Sequence, residues 1–587
     1  MGYLGRLIGA GVLGTVEAVA VMMPSFAQSS LFVAYPPDQH ETVADRIFFI
    51  GTASPDQPVT INGQVIENRS EDGHFAPTLP LAVGENQFTL AQGDETLLLT
   101  ITRLADQPPQ PEGVGFAAET LMPATDIARL PGELICFSAI ATPQAQVFVT
   151  LGSQQIPLQP QTNQVALPPN SAVLTDQTAP VEVSATEYAG CATANAPGEL
   201  GIPQFVLTAQ GQTVNTPGPS VVSILSPTTF EVAEVTVESG IARTGPSTSY
   251  SRITPLPRGT RAAVTGREGE WLRLDYGGWI KSSETEITIS PVPPRTTIRG
   301  VRSQQVPGWT EVIFPLQVPV PVSVEQDSQT LTLTLHNTTP QTDTIYFSND
   351  PMVERMDFNS VLPDRARYTF HFKTDQQWGY KLRYEGTSLI LSLRHGPEEA
   401  RSPLQGTTIL LDPGHGSDQD LGARGPTGYP EKDVALIVSK LLRDRLQARG
   451  ASVVMTREGD DDLYPADRVA IIEQTEPTLA LSLHYNALPD AGDALNTTGI
   501  GTFWYNPQAH DLAAFLHDYL VETLDRPSYG VFWNNLALTR PTVAPAVLLE
   551  LGFMINPEEF EWITDPDSQR VLADALTDGI EAWLAEQ

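Results

Sequence analysis

From residue 407 onward, short apolar runs alternate with stretches in which apolar residues recur every three or four positions. The runs "TILLDP", "SVVMT", "TLALSLHYN" and "AVLLELG" are typical of buried strands. The periodic stretches "EKDVALIVSKLLRDRLQARG", "PADRVAIIEQ", "HDLAAFLHDYLVETL" and "DSQRVLADALTDGIEAWLAEQ" predict helices. This alternation predicts a C-terminal α/β domain at 403–587, with a mostly parallel sheet covered by helices.

The first 400 residues have a different pattern, in which short alternating runs are separated by turn residues. Such a pattern predicts several small all-β domains. Proline-rich stretches, "DQPPQPEG", "NTPGPS" and "SPVPPRTT", are typical of linkers between them. We expect an immunoglobulin-like β domain at 30–105, which contains the hairpin signal Asn62-Gly63, a second β domain at 114–225, and further β domains at 231–286 and 296–397.

Near the N-terminus, Arg6 is followed by the apolar run "LIGAGVLGTVEAVAVMM" and then by the small residues Ser25 and Ala27. A basic start, an apolar run and a small-x-small site are typical of a secretory signal. We therefore expect residues 1–27 to be a signal peptide, with a retained membrane anchor as the alternative. An exported protein of this kind would be located in the periplasm or cell envelope.

The two cysteines indicate a disulfide, and the net charge narrows the choice of binding partners. Cys136 and Cys191 are 55 positions apart, which excludes a CxxC motif, and in an exported protein they are expected to form one structural disulfide. Acidic residues outnumber Lys plus Arg by 69 to 34, which gives a net charge of −35. Nucleic-acid binding is disfavoured, because contacts to phosphates need clustered positive charge.

Four residues of the α/β domain are expected to meet at one edge of its sheet. His415 and His484 follow or end a strand, Glu550 ends another, and Glu431 opens the first long helix. In parallel sheets, sites form at the carboxyl ends of the strands. Two histidines and one carboxylate form a known catalytic zinc set, and Glu550 is left as the group that takes a proton from water.

Each of these residues also has a simpler interpretation. His484 could be ordinary strand-end polarity, His415 a solvated turn residue, and Glu431 a charge that favours the start of a helix. Glu550 is harder to explain in this way, because an unpaired carboxylate after an apolar run is costly to bury. His510 and His517, seven apart on a predicted helix, are expected at the surface.

Three segments of the last domain resemble the motifs of the zinc-dependent N-acetylmuramoyl-L-alanine amidases: "LLDPGHGSDQDLGARGPTGYPEKD", "LSLHYNA" and "PAVLLELGFMINPEE". The resemblance implies that His415, Glu431 and His484 bind Zn²⁺ and that Glu550 is the catalytic carboxylate. It also implies cleavage of the amide between muramic acid and L-alanine in peptidoglycan. The stretch "HGSDQDLGA" is one residue longer than the family pattern, which leaves open whether Asp418 or Asp420 fills the usual aspartate position.

Two of the β regions resemble families that accompany wall enzymes. Region 231–286 is similar to bacterial SH3-like domains through "GIARTGPSTSYSRITPLPRGTRAAV" and "EWLRLDYGGWIK". Region 296–397, with "YKLRYEGTSLILSLRH", resembles the amidase N-terminal targeting domain. Both resemblances imply contacts with the cell wall. For Trp271 and Trp279 the alternative is that they fill the core of a small barrel.

Two other functions are compatible with this set of residues: a non-catalytic wall-binding protein, and a zinc peptidase that acts within the stem peptide. The loop after His484 is a further point of interest, because some family members carry there a helix that covers the metal. Here only about a dozen residues, 488–498, precede the next apolar strand, and they are rich in turn formers. We expect this loop to contain no such helix, because three turns need more chain.

Overall fold

The structure is a computed structural model that describes residues 31–105, 110–161, 164–168, 172, 181–183, 186–347, 349–398 and 402–587. The expected signal peptide at 1–27 lies outside these residues. Within them, no helix combines the length and the apolar character that crossing a membrane requires.

Residues 31–105 form three small sheets, with strand orders β1-β4-β7, β2-β10-β9-β5-β6 and β3-β8. Their strands are β1 Phe32–Tyr35, β2 His40–Thr42, β3 Arg46–Phe48, β4 Ile50–Thr52, β5 Thr60–Ile61, β6 Gln64–Val65, β7 His74–Phe75, β8 Thr78–Pro80, β9 Gly84–Gln92 and β10 Glu95–Arg103. Asn62 and Gly63 connect β5 to β6 and have φ angles of 51° and 79°. Both lie in the left-handed region that a tight hairpin turn needs, as the Asn-Gly signal predicts.

The next region is built on a six-stranded sheet with the order β12-β17-β14-β13-β19-β20. The strands of this region are β11 Ile127–Arg129, β12 Leu134–Ile140, β13 Gln146–Leu151, β14 Gln154–Pro160, β15 Gln164–Ala166, β16 Val181–Val183, β17 Glu187–Thr193, β18 Gly198–Gly201, β19 Gln204–Ala209, β20 Gln212–Pro217 and β21 Val222–Ile224. Cys136 on β12 and Cys191 on β17 are directly opposite each other and form the expected disulfide.

The SH3-like region contains β22 Phe230–Val235, β23 Ser239–Gly240, β24 Leu256–Pro257, β25 Arg261–Glu268, β26 Trp271–Leu274, β27 Trp279–Lys281 and β28 Thr285–Ser290. Its strand β25 pairs with β11, so one sheet continues from the preceding region into this one. Trp271 and Trp279 are only 6% and 8% exposed, so their side chains belong to the core.

Two facing sheets follow, β33-β29-β30-β37-β36 and β31-β32-β35-β34, around a shared apolar core. The strands are β29 Thr296–Val306, β30 Trp309–Phe314, β31 Val322–Gln326, β32 Thr330–Leu335, β33 Thr338–Tyr346, β34 Val353–Val361, β35 Arg365–Phe372, β36 Tyr380–Glu385 and β37 Ser388–Arg394. The exact limits of the β domains and their assignment to families other than SH3 stay a prediction.

The C-terminal region is the α/β domain, with sheet order β39-β38-β40-β43-β41-β42. Its strands are β38 Thr408–Pro413, β39 Ser452–Met455, β40 Leu479–Asn486, β41 Ile500–Trp504, β42 Ser528–Trp533 and β43 Ala546–Phe553, and its helices are α1 Glu431–Ala448, α2 Pro465–Thr475, α3 His510–Leu524, α4 Pro557–Thr564 and α5 Pro566–Glu586. All neighbouring strands are parallel except β41 and β43, which confirms the mostly parallel sheet.

Both faces of this sheet are covered, because alternate residues of each strand point to opposite sides. Ile409 and Leu411 of β38 pack in the core with α1, α3 and α5, whereas Leu410 packs on the other face with Ile472 of α2. The candidate residues lie toward the carboxyl ends of the sheet's strands.

Two expectations about side chains in this domain are wrong. The apolar spacing in "EKDVALIVSKLLRDRLQARG" predicts that Ile437 lies on the buried face of α1, but Ile437 is 39% exposed, because the apolar stripe is wider than the surface that α1 buries. His517 is only 6% exposed, and its Nε2 lies 2.8 Å from the Ser528 hydroxyl. That partner, which begins the neighbouring strand β42, allows the imidazole to be buried. His510 is exposed, as expected.

Candidate metal centre

The turn after β38 holds His415 in an unusual backbone conformation. His415 has a φ of 58°, which is uncommon for a residue with a side chain and is often found at functional sites. Gly414, which precedes it, has no room for a side chain, because a Cβ there would lie 2.5 Å from the His484 ring. The bare backbone of this turn thus allows the two imidazoles to approach, with ring centroids 5.0 Å apart.

Glu431 joins the two histidines into one cluster. Its Oε2 lies 3.1 Å from Nε2 of His415, and its Oε1 lies 3.0 Å from Nδ1 of His484. Backbone amides of Ala423 and Tyr485 donate to the same two oxygens at 2.8 and 3.0 Å, which fixes the carboxylate. Donor atoms this close together suit one ion with bonds of about 2 Å.

A second glycine leaves space for this cluster. Gly422 has a φ of +70°, and a Cβ there would lie 2.4 Å from Oε2 of Glu431 and 2.5 Å from the His415 ring. Two imidazoles and one carboxylate, each supplying one donor atom within 4.8 Å of the others, are a donor set that zinc prefers. The residues present therefore fit a zinc ion.

Asp420, not Asp418, lies beside the candidate ligands. Oδ1 of Asp420 is 2.6 Å from Nδ1 of His415, on the side of the ring that faces away from Glu431. A carboxylate in this place sets the tautomer and orientation of a metal-binding histidine. The Asp418 side chain is 92% exposed and its nearest ionic partner, Lys432, is 3.9 Å away. The structure thereby resolves the alternative that the extra residue in "HGSDQDLGA" leaves open.

Glu550 lies next to His484, because β40 and β43 are paired with these two residues in register. Its Oε2 is buried and has no hydrogen-bond partner in the described structure. Burial, and then the negative charge of Glu431, raise the pKa of Glu550 well above its ordinary value. A carboxyl group with a raised pKa beside a candidate metal is suited to hold and release a proton.

The electrostatics of the cluster favour a cation. Burial opposes the ionisation of Glu431, but the contacts with His415 and His484 hold its pKa well below its ordinary value. Burial likewise disfavours a charged His415, but Glu431 and Asp420 raise its pKa to about 9. Glu431 and Asp420 therefore place negative charge beside the imidazoles.

Two buried arginines, which the sequence analysis missed, hold the turn that carries His415. Arg468 donates to the carbonyls of Pro413, at 2.8 Å, and His415, and its Nη1 lies 2.7 Å from the buried carboxylate of Asp412. Arg457 donates to the carbonyl of Gly414 at 2.7 Å. Asp412 could have indicated a buried arginine, because a carboxylate at the end of an apolar strand requires a buried partner.

We expect Arg468→Met to destabilise the α/β domain by about 3–5 kcal/mol, because Asp412 would remain buried without its partner. The side chains of Arg468 and Asp412 are 4% and 1% exposed. Hydrogen exchange of the β38 and β40 amides measures the change locally, which suits a chain of several domains. The control is Arg570→Met, whose exposed pair with Asp567 should contribute about 0–1 kcal/mol. Equal, small effects of both substitutions would contradict the expectation.

The loop between β40 and β41 contains no helix, as its length and turn residues predict. Residues 487–499 consist of turns and extended backbone. The loop begins three residues after His484, and the segment between His415 and Glu431 joins the other two candidate ligands.

A mostly parallel sheet that brings two imidazoles and two carboxylates together at one edge has the donor set and the acid-base group of metal-dependent hydrolases. Comparison with known proteins agrees with this class. The family model described as N-acetylmuramoyl-L-alanine amidase matches residues 409–582, and the bacterial SH3 domain model matches residues 238–286.

Relatives of known name are cell wall amidases. The probable cell wall amidase LytH of Staphylococcus epidermidis is 33% identical over 216 residues, which are 37% of this chain and 69% of that protein. The protein of the same name from Staphylococcus aureus is 35% identical over 191 residues, 32% of this chain and 61% of its own length. The chain belongs to the N-acetylmuramoyl-L-alanine amidase family.

Two solved amidase structures are similar to about a third of this chain. The catalytic domain of the amidase CwlV from Bacillus (Paenibacillus) polymyxa var. colistinus is 28% identical, covers 31% of this chain and 99% of its own, and gives a TM-score of 0.29. The amidase AmiC2 of Nostoc punctiforme is 27% identical, covers 31% and 99%, and gives the same TM-score.

Proposed function

We propose that this protein is an exported, zinc-dependent peptidoglycan hydrolase that cleaves the amide bond between N-acetylmuramic acid and the L-alanine of the stem peptide. The observation that carries the proposal is the convergence of His415, Glu431 and His484 beside the buried carboxyl group of Glu550. Membership in the amidase family and the relatives named as cell wall amidases support the choice of bond.

In this proposal His415, His484 and Glu431 would hold the zinc ion, each through one donor atom. Asp420 keeps His415 in the orientation for binding through its hydrogen bond to Nδ1. When bound, zinc supplies a Lewis acid that lowers the pKa of water toward about 7 and polarises the carbonyl group of the substrate.

Glu550 has the role of proton carrier. Its Oε2, which has no partner among the described atoms, takes a proton from the attacking water and delivers it to the nitrogen of the departing L-alanine. The raised pKa of Glu550 favours the protonated form that the second step requires. No serine or cysteine nucleophile is needed, and the chain's two cysteines are joined in a disulfide.

Location and partners follow from the same proposal. The substrate is outside the cytoplasmic membrane, so the protein acts in the periplasm or cell envelope. The SH3-like region and the targeting-like region 296–397 are proposed to contact the wall and to bring the α/β domain to its substrate. Trp271 and Trp279 contribute to the SH3-like fold and not directly to wall binding, because both are buried.

Mass analysis of purified peptidoglycan after digestion by the full chain tests the proposed reaction. We expect release of intact stem peptides that begin with L-alanine. Shortened peptides would instead identify a zinc peptidase that cuts within the stem, and no released products would identify a non-catalytic wall-binding protein. Protein treated with a chelator, and the same protein after zinc is restored, are the matched controls.

A further inference from the structure

The N-terminal β region 31–105 packs directly against the α/β domain at 403–587, although residues 106–402 separate them in sequence. Their shared apolar cluster contains three residues from each side, all of them at most 3% exposed: Phe48, Ile50 and Ala76 from the N-terminal region, and Ala494, Phe553 and Ile555 from the α/β domain. A fully buried apolar contact of this kind is typical of permanent interfaces, not of transient ones.

A polar contact beside this cluster is centred on Asp490, in the loop 487–499 that follows His484. The hydroxyl of Tyr35 donates to Oδ1 of Asp490, and Nε2 of His40 lies 3.0 Å from Oδ2. The backbone amide of Phe48 donates to the Asp490 carbonyl at 3.2 Å. The side chains of His40 and Asp490 are only 21% and 26% exposed, so the pair is partly shielded from solvent.

The same region also contacts the segment that joins His415 to Glu431. Phe32 lies against Gly428, three residues before Glu431. A Cβ added to Gly428 would lie 3.4 Å from the Phe32 ring. On the far side, His74 packs edge-on against Phe560 of α4, with ring centroids 5.3 Å apart. Phe560 in turn covers Gly425, which belongs to the segment between His415 and Glu431.

The apolar cluster extends to the neighbourhood of Glu550. Tyr529 packs on the cluster and lies edge-on to Phe553, with ring centroids 4.9 Å apart. A Cβ added to Gly501 would lie 3.1 Å from the Tyr529 ring and 3.7 Å from Cβ of Glu550. The side chains of Tyr529 and Glu550 therefore flank the same glycine. The N-terminal region is therefore one layer of side chains away from the proposed acid-base group.

We infer that residues 31–105 are a permanent wall of the catalytic cleft, and that Asp490 is a positioning residue through which this wall fixes the loop 487–499 for substrate binding. The inference rests on the proposed function. A loop held in its binding conformation does not lose conformational freedom when substrate arrives, so its fixation strengthens substrate binding more than it changes the chemical step.

The test compares full-length Asp490→Ala with wild type in two measurements. Hydrogen exchange of amides 487–499 should become at least about tenfold faster, since bonds to a charged group are lost. With solubilised peptidoglycan fragments, KM should rise about tenfold while kcat stays within about twofold, the pattern expected when binding is lost equally in the ground state and the transition state. Zinc content should not change, because Asp490 does not contact the metal cluster.

The matched control is Asp493→Ala, in the same loop. Asp493 is exposed, and the bonds its carboxylate accepts come from Asn496. It should leave KM unchanged and should speed exchange in the loop only at the amide of Asn496, which loses its acceptor. Asp490→Asn, which keeps an acceptor for Tyr35, should recover most of the affinity. Tyr35→Phe removes one hydroxyl and gives a milder version of the same test if Asp490→Ala folds poorly.

Two results would overturn the inference. A rise in activity of Asp490→Ala would mean that the N-terminal region covers the site and must move away. Faster exchange with unchanged KM would mean that the contact serves the fold alone. Wild-type protein that releases no stem peptide would overturn the proposed function and the KM prediction together, whereas the exchange comparison would still decide whether Asp490 fixes the loop.

Discussion

Glu550→Gln is expected to reduce turnover of peptidoglycan on the order of 10²–10⁴-fold, the usual contribution of a positioned acid-base group. Glutamine has nearly the same shape as a protonated glutamic acid but cannot accept and return a proton. Since burial and Glu431 already raise the pKa of Glu550, the neutral amide should fit the site at no cost in stability. The measurement is the initial rate of stem-peptide release by zinc-loaded protein.

Metal content and thermal unfolding of the same variant separate chemistry from folding. We expect zinc binding and the unfolding temperature to match those of wild type, because Glu550 is not among the three proposed ligands. Glu473→Gln is a suitable control, since it makes the same chemical change at an exposed glutamate of α2 in the same domain. Activity of Glu550→Gln within a few-fold of wild type would exclude Glu550 as the proton carrier.

The placement of the four candidate residues could be predicted from sequence because it depends on local patterns. Apolar runs define β38, β40 and β43, and the carboxyl ends of parallel strands meet at one edge. His415, His484 and Glu550 follow or end these runs, so their proximity follows from the topology alone. Glu431 opens α1, which returns along the same sheet.

The support around these residues could not be predicted in the same way. Whether Asp418 or Asp420 contacts His415 depends on the path of a loop that is one residue longer than the family pattern. The roles of Arg457 and Arg468 depend on long-range contacts to carbonyls more than 40 positions away. His517 was placed at the surface because periodicity does not reveal a distant partner such as Ser528.

The largest difference between the sequence-based prediction and the structure is where the N-terminal β region lies. Its alternating strands predict a separate small domain, and nothing in the pattern indicates a partner for Phe48 or Ile50. Their burial arises when Phe553, the last residue of β43, and Ile555, in the turn after it, are brought opposite them. Domain order along the chain therefore does not give domain adjacency in space.

The largest expected effect on the metal itself is that of His415→Ala and His484→Ala. Each substitution removes one of three proposed ligands, and two remaining donors do not hold zinc at the affinity of a catalytic site. We expect zinc, measured by elemental analysis after dialysis, to fall from about one per chain to near zero, and stem-peptide release to fall to background. Because a metal bound only by the native state stabilises it, zinc should raise the unfolding temperature of wild type but not of either variant.

The control for both variants is His510→Ala, which removes an exposed histidine of the same domain. Its zinc content and zinc-dependent stabilisation should equal those of wild type. The stabilisation readout matters because it reports binding at the cluster whether or not the protein is active. Full retention of zinc by both His415→Ala and His484→Ala would show that the ion is bound elsewhere. Glu431 would then be excluded as a ligand too, because its carboxylate contacts these two imidazoles at 3.0–3.1 Å.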